Sequence, residues 1–232
     1  PLAHFMRALF GVTGALAAIQ AASDMPIVDA TAFGLLYVVF VVILGMVIFK
    51  ERIGLRQWNG ILVCGAGAAT IMVARGAFQS FDPAYALPTL LAISGAALFA
   101  FEGVLIKILS QHDRPMTVLL HVNIFGLLLL AVPALLTWKT LPLGDALFYV
   151  ALGPLGIFGQ YCTIRGYSMA DISVVGPADY SWLVFAAIIG FLFFGEIPTI
   201  GVILGAALIA AGGIVLATVK PAKVKQPTLE LQ

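Results

Sequence analysis

Charged residues are scarce in this chain. Only 10% of its 232 residues are Asp, Glu, Lys or Arg, and the net charge is +1. Apolar residues make up 62%, and the mean hydropathy is +1.08. So few charges cannot cover the surface of a soluble globule of this length. The chain also has no basic segment that would bind nucleic acid, so we expect a lipid bilayer and no nucleic-acid partner.

Cysteines and catalytic motifs are also scarce. Cys64 and Cys162 each lie in an apolar run, where a thiol usually packs as a small apolar side chain, so we expect neither a disulfide framework nor a metal site. The sequence has no HExxH, GxSxG or phosphate-binding loop. These absences predict no catalytic residues and no cofactor, and therefore a protein that is not an enzyme.

Long apolar segments are abundant. A membrane-spanning helix needs about 20 mostly apolar residues, and lipid tolerates only backbone whose polar groups are paired internally. Eight segments fit this length, near residues 5–22, 27–49, 56–74, 85–109, 115–137, 143–165, 172–194 and 200–219. The fold class predicted is an all-α integral membrane protein, a polytopic helix bundle with a polar cytoplasmic tail at 221–232.

Positive charges predict the orientation of these spans. If the first helix begins in the cytoplasm, ten basic residues lie at cytoplasmic loops or helix ends: Arg7, Lys50, Arg52, Arg56, Lys107, Arg114, Arg165, Lys220, Lys223 and Lys225. Only Arg75 and Lys139 lie on the other side. The positive-inside rule then places the C-terminus in the cytoplasm, and we expect the bacterial inner membrane.

An internal repeat divides the chain. Residues 21–74 align without a gap onto residues 166–219 at an offset of 145, which pairs Phe49-Lys50-Glu51 with Phe194-Gly195-Glu196. Glu51 and Glu196 end matching helices on opposite sides of the membrane, so the two copies are predicted to be inverted. We expect these two residues to cap helices or join neighbouring helices.

Inverted repeats need an odd number of helices each. Residues 1–80 would hold three helices, the remainder of a first repeat, and residues 81–220 would hold a second repeat of five. Two further helices, on the order of 60 residues at about 20 per span with their loops, are expected before Pro1, which would give ten spans of which eight are present.

The segment from Ala170 to Glu196, ADISVVGPADYSWLVFAAIIGFLFFGE, precedes a last helix rich in glycine and alanine. This arrangement resembles the EamA domain of the drug/metabolite transporter superfamily, and 25–51 is a weaker copy of it. The resemblance implies an N-terminally truncated transporter of small metabolites, with inverted repeats around a central cavity and alternating access. Residues 177–180 are also similar to the branch that includes S-adenosylmethionine and riboflavin carriers.

Polar residues inside the spans indicate where a solute would bind, because such groups are costly in lipid unless they line a cavity or are paired. Glu102, His121 and Asp179 lie about 10 Å below the cytoplasmic surface at about 1.5 Å per residue. The residues predicted to bind substrate or couple its transport are Asp179, Glu102, His121, Trp182, Gln160 and Tyr180.

Other roles for these residues stay open from sequence alone. Asp179 with Arg165, or Glu102 with His121, could form a structural pair, and Tyr180 and Trp182 could simply pack between helices. An intramembrane enzyme using Glu102, His121 and Asp179 is one alternative to a transporter. A non-transporting membrane scaffold is another.

Glycine and proline positions predict local geometry. Gly153-Pro154 and Gly176-Pro177 lie inside spans, where they invite kinks, and the first copy has no proline at the matching positions. Gly201-x-x-x-Gly205 and Ala206-x-x-x-Ala210 would let the last helix approach a neighbour closely, either in the same chain or in a homodimer.

Overall fold

A computed structural model describes residues 2–79, 82–138, 140 and 142–219. All regular structure in these ranges is helical: α1 (Leu2–Asp24), α2 (Ile27–Gly34), α3 (Leu36–Ile48), α4 (Leu55–Ala74), α5 (Ala86–His112), α6 (Pro115–Leu136), α7 (Leu143–Met169), α8 (Ile172–Ala178), α9 (Ser181–Phe194) and α10 (Ile200–Ala217), with a 3₁₀ turn at Pro83–Tyr85. The predicted tail, Lys139, Lys220 and the boundary residues 80 and 81 lie outside the described ranges.

The described residues form eight helical segments long and apolar enough to cross a membrane, which confirms the predicted spans. Five of them are single α-helices, and the fourth consists of the 3₁₀ turn followed by α5. The second consists of α2 and α3, and the seventh consists of α8 and α9. Apolar side chains on the outer surface, such as Leu62 on α4 and Ile203 on α10, are largely exposed, as lipid contact requires.

Glycines bring α4 and α10 together in two symmetric contacts. A Cβ atom on Gly205 would lie only 2.6 Å from the carbonyl oxygen of Gly67, and one on Gly212 only 2.8 Å from that of Gly60. Adding 145 to 60 and 67 gives 205 and 212, so the repeat offset converts one contact into the other. This is the packing expected of two inverted copies. The glycine face of the last helix is therefore occupied within the chain, and a homodimer through α10 remains a prediction.

Both copies break their helix at the same position. α2 ends at Gly34 and α3 starts at Leu36, while Asp179 and Tyr180 separate α8 from α9. The two breaks touch, because the Tyr180 hydroxyl donates to the carbonyl oxygen of Leu35 at 3.4 Å. The first copy breaks without a proline, and Pro154 lies inside the continuous helix α7, so proline alone does not determine where these helices are interrupted.

Candidate functional site

A cavity of about 520 Å³ lies between α1, α2, α5, α7 and the break between α8 and α9. Five of the six residues predicted to bind substrate line it: Asp179, Glu102, Trp182, Gln160 and Tyr180. The volume falls within the roughly 300–1,000 Å³ of ligand pockets in general. That these side chains bind a solute remains a prediction, but the fold brings them to one chamber.

The helix break presents Asp179 to the cavity. The backbone N–H of Asp179 still bonds to the carbonyl oxygen of Gly176 at 3.0 Å, and the helix resumes only at Ser181. Interrupted backbone at membrane depth is tolerated where it lines a cavity. Next to Asp179 is Tyr37, whose hydroxyl lies 2.7 Å from that of Tyr167. These two tyrosines, which sequence reasoning missed, belong to the same wall.

An ion pair that the sequence did not predict forms another wall. Arg7 Nε lies 3.5 Å from Glu102 Oε1, and Arg7 Nη1 donates to the carbonyl oxygen of Val118 at 3.3 Å. The Arg7 side chain is only 2% exposed and that of Glu102 is 19% exposed. Among the described residues, Arg7 Nε has no hydrogen-bond partner. Arg7 was predicted as a charge at a helix end, whereas it lies inside α1 with its side chain reaching the cavity.

A glycine in α1, Gly11, is the sequence feature that could have indicated the pair between Arg7 and Glu102. A Cβ atom on Gly11, one turn after Arg7, would lie 2.8 Å from Glu102 Oε2. The absence of a side chain at residue 11 therefore makes room for the carboxylate of Glu102 beside α1. A basic residue followed four positions later by glycine, inside an apolar span, would have pointed to an acid on the neighbouring helix.

His121 lies in a different cluster. Its ring stacks on that of His4 with 4.3 Å between centroids, and its Nδ1 lies 2.8 Å from the carbonyl oxygen of Thr117. His4 Nε2 in turn lies 3.0 Å from Asp113 Oδ2. His121 is not among the residues that line the cavity. In the described part of the chain, Glu102 pairs with Arg7 and not with His121, and Asp179 forms no ion pair with Arg165.

The aromatic residues differ in exposure. Trp182 is 46% exposed and lines the cavity together with Phe99. Tyr180 is 6% exposed and belongs to the core cluster that also holds Val38, so only part of it reaches the chamber. Trp182 can therefore stack on a flat solute, whereas Tyr180 mainly supports the break.

A buried lysine fixes the end of α7, which carries Gln160 and Tyr167. Lys107 is 4% exposed, and its Nζ donates to the carbonyl oxygens of Tyr167 at 2.8 Å and Ala170 at 2.6 Å. Carbonyls at a helix C-terminus carry partial negative charge, which an ammonium group neutralises. Lys107 was predicted as a topology-setting charge near the cytoplasmic end of its helix, and the structure shows that it is buried and caps the C-terminus of α7.

Comparison with known proteins agrees with this architecture. Residues 2–73 and 87–218 match the EamA-like transporter family. A riboflavin transporter of Vibrio cholerae serotype O1 is 29% identical, with 89% of this chain and 68% of that protein covered. An S-adenosylmethionine uptake transporter of Rickettsia bellii is 24% identical, with 90% of this chain and 70% of that protein covered. A pseudopaline exporter of Pseudomonas aeruginosa is 27% identical, with 90% and 74% covered.

One solved crystal structure superposes with a TM-score of 0.78 over 93% of this chain and 76% of that one, at 21% identity, which shows the shared fold. The family match covers most of the sequence, so the chain belongs to the EamA-like transporter family. It is an integral membrane protein, and these relatives favour a small-metabolite transporter over an intramembrane enzyme or a scaffold.

Proposed function

We propose that this protein carries a flat heteroaromatic metabolite with hydrogen-bonding groups through the cavity, which opens alternately to the two membrane faces. The observation that carries the proposal is the composition of the chamber. Its lining is mainly apolar, yet it holds Asp179 and the Arg7–Glu102 pair beside the ring of Trp182. A binding site with a few placed polar groups on an apolar wall has this composition.

The chemistry of the wall favours a particular class of solute. Trp182 and Phe99 offer faces on which a ring can stack. Arg7 Nε is a buried donor that lies 3.5 Å from Glu102 Oε1 and has no hydrogen-bond partner among the described residues, and the carboxylate of Glu102 is an acceptor. Riboflavin and S-adenosylmethionine, named for relatives, both combine a heteroaromatic ring with such groups. We infer the same class here.

Charge in the cavity adds a further restriction. The lining holds two acids, Asp179 and Glu102, and one base, Arg7. An excess of acid repels an anionic solute in a chamber of low dielectric. Riboflavin should therefore bind more tightly than riboflavin 5′-phosphate, which has the same ring and a doubly charged phosphate.

We place the face that carries Glu51 in the cytoplasm. Of the ten basic residues counted for that side, Arg7 and Lys107 are buried by specific partners, which leaves eight against two. The excess still follows the positive-inside rule and leaves the C-terminus cytoplasmic, in a bacterial inner membrane. In this proposal the protein transports the solute without altering it chemically.

Uptake by proteoliposomes tests this function. The protein is reconstituted and mixed with radiolabelled riboflavin or S-adenosylmethionine, and the solute recovered from the vesicles is checked for chemical change by chromatography. Asp179→Asn and Glu102→Gln should each lower uptake by about tenfold or more, because a lost hydrogen bond to a charged group is worth about 1.5–3 kcal/mol. Trp182→Leu should weaken binding of both solutes.

Two variants serve as matched controls. Asp24→Asn removes an exposed acid whose carboxylate accepts from Gln20, and Trp138→Leu removes an indole that is 71% exposed. Both should leave uptake near that of the unmodified protein. If Asp179→Asn and Glu102→Gln insert normally and transport as well as Asp24→Asn, the cavity is not the binding site. A solute recovered in altered form would favour an enzyme.

A further inference from the structure

Glu51 and Glu196 lie in loops of similar geometry. The backbone N–H of Glu51 donates to the carbonyl oxygen of Gly45 at 3.3 Å, and that of Glu196 donates to Gly190 at 3.1 Å. Each carboxylate folds back over its own glycine: a Cβ atom on Gly45 would lie 3.0 Å from Glu51 Oε2, and one on Gly190 2.8 Å from Glu196 Oε2. Both carboxylates are therefore held at equivalent positions.

On the face that carries Glu51, this carboxylate binds the start of α8. Glu51 Oε1 accepts the backbone N–H of Ile172 at 2.9 Å, and Oε2 accepts the backbone N–H of Ser173 at 3.1 Å together with the Ser173 hydroxyl. Gln57 Nε2 also donates to Ser173 Oγ at 2.6 Å. Ile172 is 0% exposed. This contact ties α3 and α4 to α8 and closes the Glu51 face.

On the face that carries Glu196, the equivalent contact is open. The residues that match Ile172 and Ser173 are Ile27 and Val28, the first two of α2, and no N-cap side chain bonds to α2. Ile27 is 68% exposed. The Glu196 side chain is 61% exposed, and its Oε2 instead lies 3.7 Å from Arg75 Nη2. Val28 and Glu196 line a second cavity of about 300 Å³.

We propose that the two contacts form alternately during transport. Glu51 holds α8 while the Glu196 face is open, and Glu196 binds the start of α2 while the Glu51 face is open. This rests on the proposed function, since it supplies that function with its two closures. The state described here is the first of the two. The touching breaks at Leu35 and Tyr180 lie between α2 and α8, where they can serve as the pivot.

The two closures differ in strength, because the polar residues Ser173 and Gln57 of the Glu51 contact have valines, Val28 and Val202, as their counterparts. Ser173 offers Glu51 a hydroxyl in addition to its N–H, whereas Val28 at the matching position has no such group. Hydrogen bonds to a carboxylate are among the stronger ones. The Glu51 contact is therefore the more stable of the two, and the protein rests with the Glu51 face closed. A hydroxyl added at residue 28 should oppose this preference.

Cysteine labelling of the full chain tests the exchange. The two native cysteines are first removed as Cys64→Ala and Cys162→Ser. Single cysteines are then introduced at Thr31, a half-buried cavity residue of α2, or at Val175, a half-buried residue in the matching part of α8. Purified protein in detergent reacts with a charged maleimide, so both faces are reachable. The starting protein should react faster at Thr31→Cys than at Val175→Cys.

Two changes should reverse this pattern. Glu51→Gln weakens the closed contact, and Val28→Ser strengthens the alternative one. Each should raise the rate at Val175→Cys and lower it at Thr31→Cys, by about tenfold for one charge-assisted hydrogen bond lost from the closed contact or gained by the alternative one. Glu196→Gln should act in the opposite direction. Val28→Ala, with the same loss of size and no hydroxyl, and Asp24→Asn should change neither rate.

The signs of the changes decide between exchange and a merely structural role. If Glu51→Gln raises both rates, it loosens the fold and the exchange is wrong. The exchange is also wrong if Val28→Ser behaves like Val28→Ala. Riboflavin binding is measured on the same samples. If riboflavin binds but the two labelling rates do not change, only the exchange is wrong. If the two rates shift in opposite directions but riboflavin does not bind, the exchange is supported and the proposed solute is wrong.

Discussion

The buried pair between Arg7 and Glu102 makes a quantitative prediction. Arg7 is 2% exposed inside α1, and its Nε lies 3.5 Å from Glu102 Oε1. Removing one member of such a pair leaves the other charged and buried. In proteins generally this costs about 3–5 kcal/mol. The cavity partly solvates Glu102, which is 19% exposed, so Arg7→Gln should cost less, about 2 kcal/mol.

Glu102→Gln should be the more damaging single change. It leaves the guanidinium of Arg7 with the carbonyl oxygen of Val118 as its remaining close partner, at 3.3 Å. Because this guanidinium is almost completely buried, we expect a loss of about 3 kcal/mol in the free energy of unfolding. The double variant leaves neither charge, so its loss should fall short of the sum of the two by about 2 kcal/mol.

Equilibrium unfolding in mixed micelles, followed by circular dichroism at several mole fractions of denaturing detergent, measures these differences. Arg165→Gln is the matched control, since Arg165 is an exposed arginine of α7. It should change the free energy by no more than about 0.5 kcal/mol. Additive losses in the double variant would refute the reasoning, because they would show that the two side chains do not interact.

Two further changes follow from close contacts. Gly212→Ala should cost about 1–3 kcal/mol of unfolding free energy, because its Cβ atom would lie 2.8 Å from the carbonyl oxygen of Gly60. In the control Gly213→Ala, the added Cβ atom meets nothing within 4 Å, so this change should be neutral or stabilising by helix propensity. Equal losses in the two variants would contradict this packing. Tyr167→Phe removes the hydrogen bond of 2.7 Å between the hydroxyls of Tyr167 and Tyr37, and should cost about 1 kcal/mol of unfolding free energy in the same assay. The control Tyr149→Phe changes a side chain that is 61% exposed and should have no measurable effect. An unchanged free energy of unfolding in Tyr167→Phe would exclude this hydrogen bond.

The spans and the main cavity residues were predictable because bilayer physics leaves few choices. A segment of about 20 apolar residues must be helical, and an acid inside it must face a cavity or a partner. Asp179 and Glu102 lie at the chamber for this reason. The small residues of the last span likewise predicted its close approach to a neighbouring helix, and the structure shows that this neighbour is α4.

The partners of these residues were not predictable, because partner choice depends on how each helix is rotated about its axis. Glu102 and His121 were placed at the same depth, yet α6 turns His121 toward His4 and α1 brings Arg7 to Glu102. Depth follows from position in the sequence. The rotation of a helix about its axis follows from its packing against other helices, which the sequence of one span does not determine. The break in the first copy was missed for a related reason, since no proline marks Leu35.

Both copies of the repeat contribute to the lining of the cavity. Five pairs related by the offset of 145 both line it: Ala18 and Thr163, Ala22 and Tyr167, Gly34 and Asp179, Leu35 and Tyr180, Tyr37 and Trp182. Both copies therefore supply backbone to the same chamber. In four of these pairs the first copy contributes a small or aliphatic residue, whereas the second contributes a side chain with a hydrogen-bonding group.

This division has a physical consequence. Two equal halves would offer a solute two equivalent poses, whereas here the polar groups of the repeated segments lie mainly on the side of Asp179 and Thr163. The small residues opposite them leave room for a ring. We infer that the asymmetric side chains hold the solute toward the second copy, while the symmetric backbone supports the movement of the helices.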